Sequence, residues 1–120
     1  MPNPVVHWEI RSKQPKRLQN FYSRLFDWHV DTNNPMNYGL VDTHAEGGIN
    51  GGIGPAGDDA TRVTFFVGVQ DLQAFLNKAE SLGGKTIMPP TEIPGAGITV
   101  AQFTDPDGNT IGLVKEQESR

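Results

Sequence analysis

Residues 5–28 read VVHWEIRSKQPKRLQNFYSRLFDW, and the apolar period changes once within them. From Val5 to Ile10 the period is two: Val6, Trp8 and Ile10 share one face of a strand, and Val5, His7 and Glu9 share the other. From Pro15 to Phe26 the spacing is three and four. Leu18, Phe21, Tyr22, Leu25 and Phe26 then form one stripe of an amphipathic helix, with Pro15 suited to its first turn. The stretch is a strand followed by a helix.

Short strands are expected next at Trp28–Asp31 and Asn37–Val41. Gly47–Gly54, with Ile49 and Ile53 as its apolar members, is either a weak strand whose backbone something approaches closely or a tight turn at Asn50-Gly51. Gly54-Pro55-Ala56-Gly57-Asp58-Asp59 has the composition of a linker. The pattern then restarts. Val63, Phe65, Val67 and Val69 alternate as a strand, and a helix runs from Asp71, a candidate N-cap, to Leu82, stopped by Gly83-Gly84. Strands follow at Lys85–Met88, Gly97–Phe103 and Thr110–Val114, the last two joined by a turn at Asp105-Pro106-Asp107-Gly108. This is an α+β chain of two β-α-β-β-β modules, 1–56 and 60–116, within one domain.

Each helix is expected to cover one face of its sheet, with Trp8, Ile10, Phe65, Val67, Ile111 and Leu113 beneath. The opposite face carries Val5, His7, Glu9, Thr64, Phe66, Gly68, Thr110, Gly112 and Val114. That set is mixed polar and small, as the lining of a wet cavity is. His7, Glu9, Thr64, Phe66, Gly112 and Val114 are therefore the pocket residues, and glycines at 51, 52, 68 and 112 predict a roomy cavity. His7 remains open between a satisfied strand histidine, a pocket wall and a ligand; His29 and His44 read as surface residues.

Composition excludes several classes. The 120 residues are 36% hydrophobic and 20% charged, enough for one core, and contain no cysteine, so no thiolate metal site, disulfide or thiol nucleophile exists. The net charge of −4 provides no basic field for nucleic acid. No apolar run approaches the ~20 residues of a membrane span. The opening Met-Pro-Asn-Pro lacks the regions of a secretion signal, so the expected location is the cytoplasm. No serine-nucleophile elbow, phosphate loop or dinucleotide fingerprint is present.

His7 is followed fourteen positions later by Phe21-Tyr22 and then by Leu25-Phe26-Asp27-Trp28. The second half contributes Val69-Gln70-Asp71-Leu72, Leu82-Gly83-Gly84-Lys85 and Phe103-Thr104-Asp105-Pro106-Asp107-Gly108-Asn109. In this order and spacing the chain resembles the vicinal oxygen chelate superfamily, which includes glyoxalase I, extradiol dioxygenases and the bleomycin resistance proteins. The resemblance implies a curved mixed sheet around a cup. In enzymatic members the cup holds a divalent metal that chelates two adjacent substrate oxygens and acts as a Lewis acid.

It also implies where ligands stand. His7 matches the first-strand ligand, but Thr64 and Gly112 occupy positions that are often histidine and glutamate. The remaining position falls in Gly47–Gly52, with Glu46 at its edge. The expected function is thus a glyoxalase- or bleomycin-resistance-like protein that binds a small molecule, with a degenerate metal site and no cofactor. The alternative is a metal-dependent lyase or dioxygenase completing a divalent site on His7 with Glu9, Glu46 or a partner chain; a third reading is a dimerisation or regulatory module. A homodimer is expected, because unpaired sheet edges and an apolar concave face are both covered by a second copy.

Overall fold

The computed structural model describes residues 2–34, 38–57 and 60–116. Its elements run β1 (Val5–Ser12), α1 (Pro15–Phe26), β2 (His29–Asp31), β3 (Gly39–Asp42), β4 (Gly51–Pro55), β5 (Arg62–Gly68), α2 (Leu72–Ser81), β6 (Lys85–Ile93), β7 (Ile98–Thr104) and β8 (Thr110–Glu116). The chain is α+β with a mixed strand pattern, and the β-α-β-β-β order occurs twice. It divides into two compact units, Val6–Thr64 and a second made of Met1–Val5 with Phe65–Arg120. Asn37, at the start of an expected strand, and the Asp58-Asp59 pair of the expected linker lie outside the described residues. Among the described residues no helix is long and apolar enough to cross a membrane.

Both units repeat one topology. In Val6–Thr64 the strand order is β2-β3-β4-β1: β1 runs parallel to β4, with Trp8 opposite Gly51 and Ile10 opposite Ile53, while β2-β3 and β3-β4 are antiparallel. In the other unit the order is β5-β8-β7-β6, with β5 parallel to β8 (Phe66 opposite Gly112) and the remaining pairs antiparallel. A parallel first and last strand needs a crossover connection, which each helix provides.

The helix ends follow local chemistry. Pro15 opens α1 where a missing N–H costs nothing, and Asp27 closes it in the left-handed region at φ 63°. Asp71 caps α2 by accepting from the Ala74 N–H at 3.0 Å. Gly83 ends that helix at φ 106°, a conformation that suits glycine.

The packing of α1 departs from expectation. Its buried residue is Gln19, whereas Phe21, Leu25 and Phe26 of the apolar stripe are 54%, 57% and 52% exposed. The Gln19 amide donates to the Ile53 carbonyl at 2.8 Å, and Gly39 leaves room for that amide. The buried hydrogen bond sets the rotation of the helix and turns half of the stripe outward. In the second unit α2 packs inward through Leu72 and Leu76, while Leu82 is 70% exposed. Val69, Leu72, Leu76, Ala101 and Leu113 form the core between α2 and the sheet, and Phe66, Val100 and Val114 form a separate apolar cluster. Phe65, expected beneath a helix, is instead 41% exposed.

Strand lengths also differ. β1 continues two residues past Ile10, β6 continues to Ile93, and β4 begins only at Gly51. The turn in the glycine-rich segment lies at residues 46–47, closed by the Gly48 N–H donating to the Ala45 carbonyl at 2.9 Å, and not at Asn50-Gly51.

Candidate functional site

The extra length of β1 decides the site. Alternation places His7, Glu9 and Arg11 on one face. Arg11 forks onto Glu9, with Nε to Oε1 at 2.8 Å and Nη2 to Oε2 at 3.1 Å, and its Nη1 donates to the Pro55 carbonyl at 3.0 Å. Glu9 is 4% exposed, and its buried carboxylate is paired with the half-buried Arg11.

Tyr38 completes the group. Asn34 clamps its backbone, accepting from the Tyr38 N–H at 3.1 Å and donating to the Tyr38 carbonyl at 2.6 Å. The ring then lies along β4, where Gly52 and Gly54 offer no side chain. A Cβ on Gly52 would collide with the phenol, and one on Gly54 would stand 2.5 Å from Cδ1. The Tyr38 hydroxyl donates to Glu9 Oε2 at 3.0 Å and lies 3.1 Å from His7 Nε2. The Arg11 guanidinium carbon sits 5.8 Å from the centre of the same ring.

Proton positions follow from the chain of partners. Arg11 only donates, so Glu9 accepts from it and from Tyr38. The single Tyr38 proton is used on Glu9, so His7 donates its Nε2–H to the tyrosine oxygen. Burial lowers the His7 pKa from 6.5, partly opposed by the Glu9 charge. Burial, and next the neighbouring Glu9 charge, raise the Tyr38 pKa far above 10.0, which keeps the phenol protonated. At neutral pH the arrangement is a neutral imidazole, a neutral phenol and one closed ion pair.

The other face of β1 serves packing. The Trp8 indole meets Trp28 at 5.2 Å between ring centres, and Phe26 lies tilted against Trp28 at 4.9 Å while Tyr22 stacks on it at 5.9 Å. Gly51 makes room for that indole, whose N–H donates to the Ile49 carbonyl at 2.7 Å.

Of the residues singled out in the sequence, His7 and Glu9 are brought together, through Tyr38. Thr64 is buried, and its hydroxyl has no hydrogen-bond partner among the described residues. In the second unit Phe66 and Val114 share the apolar cluster, and the Phe66 ring lies over Gly112 where a Cβ would stand. The expectation that glycines leave a roomy cavity is therefore corrected at 51, 52 and 112: each seats an aromatic ring. Glu46 is exposed in its turn. His29 and His44 are exposed with their rings 5.8 Å apart. Tyr38 and Arg11 were not legible as site residues. The signals for them were Arg11 falling in phase with His7 and Glu9, and the alternating Gly52 and Gly54, which ask for a flat ring on one face.

A divalent metal, which the resemblance associates with this fold, does not fit these side chains. Among the described residues no group of three or more His, Asp or Glu can hold an ion, and both Glu9 oxygens are engaged by Arg11 and Tyr38. A separate cleft of about 360 Å³ opens beside α2, walled by Val67, Val69, Phe75, Leu82, Phe103 and Leu113 together with Lys78 and Asp105. Asp105 uses its carboxylate on its own turn, accepting from the Asp107 and Asn109 N–H groups at 3.0 and 2.9 Å. Polar side chains converge at His7, Tyr38 and Glu9.

The family model described as Glyoxalase/Bleomycin resistance protein/Dioxygenase superfamily matches residues 5–113. Among curated protein sequences none matches at a significant level. Solved structures with a similar fold include a hypothetical protein from Bacillus halodurans C-125, at TM-score 0.72 and 15% identity, covering 100% of this chain and 99% of that one. The Mn(II)-bound glyoxalase from Novosphingobium aromaticivorans is similar at TM-score 0.68 and 13% identity, covering 95% of this chain and 38% of that one. Methylmalonyl-CoA epimerase from Mycobacterium tuberculosis is similar at TM-score 0.64 and 14% identity, covering 95% and 88%. At these identities the likeness shows the fold.

Proposed function

The chain belongs to the Glyoxalase/Bleomycin resistance protein/Dioxygenase superfamily, and from that premise we propose that it binds a small organic molecule on the His7–Glu9 face of β1 without a metal ion. One observation carries the reading: Glu9, the carboxylate nearest His7, is saturated by Arg11 and Tyr38. A ligand at this face meets polar groups already neutralised in pairs, which favours an uncharged molecule recognised by hydrogen bonds. A metal-dependent lyase or dioxygenase, the other expectation, would require donors beyond His7 and Glu9, and none of the described acidic or histidine residues gathers with them.

We further propose that the functional unit is a homodimer. The outward half of the α1 stripe, Phe21 and Leu25 above all, supports it as apolar surface that a second copy would cover.

The test is a ligand-observed NMR screen of a fragment library, rich in uncharged amides, phenols and ketones, in a buffer containing EDTA. The expected result is at least one binder that shifts the His7 ring and Gly52 amide resonances and is weakened about tenfold by Tyr38→Phe, which is about 1.4 kcal/mol. Binding that appears only after manganese or nickel is added, or that Tyr38→Phe leaves unchanged, would overturn the reading.

A further inference from the structure

We propose that the cleft beside α2 is a second small-molecule site, and that it takes an ionised carboxylic acid with a compact apolar body, the acid group meeting Lys78.

The helix pattern builds one wall. Phe75, Ala79 and Leu82 recur at spacings of four and three, so they lie along one edge of α2, beside the line of Leu72 and Leu76 that enters the core. Val67 of β5, Phe103 of β7 and Leu113 of β8 stand opposite, and about 360 Å³ lies between. Small-molecule sites begin at roughly 300 Å³. Val67, Phe75 and Phe103 pack against the buried cluster but stay half-buried, and Leu82 is exposed at the mouth. Apolar surface is thus left in contact with water on both walls, and an apolar body in the cleft would cover it.

Charge decides the class of the occupant. Two charged side chains border the cleft, Lys78 and Asp105. Asp105 is committed to its own turn, where it accepts from the Asp107 and Asn109 N–H groups and from the Asn109 side-chain amide, the last at 2.9 Å. Those donors fix the carboxylate and offset its charge. The carbonyls that end α2 are also taken up within the chain: the Leu82 N–H donates to the Lys78 carbonyl at 3.1 Å and the Gly84 N–H to the Ala79 carbonyl at 2.8 Å. Lys78, by contrast, forms no ion pair among the described residues. It stands three positions after Phe75 and four before Leu82, which sets its stem on the apolar edge and its ammonium at the rim. A cation at the rim of an apolar cleft complements an anionic head on an apolar body. The cleft lies within the unit that contains Phe65–Arg120 and shares no residue with the His7–Glu9 face. This inference goes beyond the function proposed above, and either can fail alone.

The test follows backbone amide chemical shifts of isotope-labelled protein during titration with octanoate and with octanol, which share a tail and differ in charge at neutral pH. Octanoate should move the Ala79, Leu82, Gly84 and Phe103 amides to saturation. Octanol should move the same amides but bind at least about tenfold more weakly, which is about 1.4 kcal/mol. Lys78→Met, which keeps an unbranched stem, should reduce octanoate to the level of octanol, and Lys78→Arg should retain the preference. Ala79→Phe, which fills the cleft, should abolish binding of both. Leu82→Ala, at an exposed position that the fold tolerates, should weaken both and serves if Ala79→Phe does not fold. Octanoate that leaves those amides unmoved, equal affinity for octanol, or undiminished octanoate binding in Lys78→Met would each overturn the proposal. Shifts confined to the His7 and Gly52 amides would place octanoate on the other face and overturn it as well.

Discussion

Tyr38 and Gly52 share one volume: the phenol ring rests on the α-carbon of the glycine, where any side chain would strike its hydroxyl end. The ring carries the hydroxyl that joins Glu9 to His7, so a β4 residue with no side chain is a condition for the site on β1. Gly52→Ala should lower stability by about 1–3 kcal/mol, the range for overpacking, and should displace the Tyr38 ring. Tyr38→Ala in the same chain should recover part of the loss, while Tyr38→Phe, which keeps the ring, should not. Denaturant melts of the three variants measure the coupling.

The His7 pKa is lowered from 6.5 in the folded chain, chiefly by burial. Between that lowered value and 6.5 the unfolded chain binds more protons than the folded one, so stability rises with pH through this window, is lost as pH falls through it, and does not change further below the lowered value on account of this group. Thermal melts between pH 7.5 and 5 should show this loss in the wild type and a flatter profile in His7→Gln. Asp105, whose pKa is lowered from 3.8 by its hydrogen bonds with Asn109, contributes a separate loss at more acid pH. That second arm should be common to both proteins. Superimposable profiles across the upper window would contradict the assignment.

Gly112 bears the same relation to Phe66 as Gly52 does to Tyr38, since a Cβ there would strike the Phe66 ring. Gly112→Ala is expected to destabilise by about 1–3 kcal/mol through overpacking, and Phe66→Leu should recover part of it. A neutral effect of Gly112→Ala in a urea melt would show that the ring is free to move aside.

Phe21 and Leu25 of α1 are exposed although they belong to the apolar stripe of the helix. Sedimentation velocity at micromolar concentration should give a dimer, burying on the order of 800 Å² per copy. Phe21→Ser with Leu25→Ser should give a monomer with an unchanged far-ultraviolet spectrum. A wild-type chain that sediments as a monomer would remove the homodimer from the account.

The strands, the helices and their caps were legible from residues alone, because each depends on local properties. A side chain alternates faces every second residue along β1 and β5, and Pro15, Asp71 and Gly83 act on the helix end beside them. The same alternation placed His7 and Glu9 together and separated Phe66 and Val114 from Val67 and Leu113. Only tertiary structure decided what those residues touch. The parallel register of β1 with β4 sets the glycines beside Glu9, and the Asn34 clamp delivers Tyr38 onto them across nearly thirty residues of chain. Likewise the buried bond from Gln19 to the Ile53 carbonyl, invisible to a hydrophobic pattern, turns α1 so that Phe21 and Leu25 face outward. Periodicity is a property of one segment; a hydrogen bond between segments exists only after the chain has brought them together.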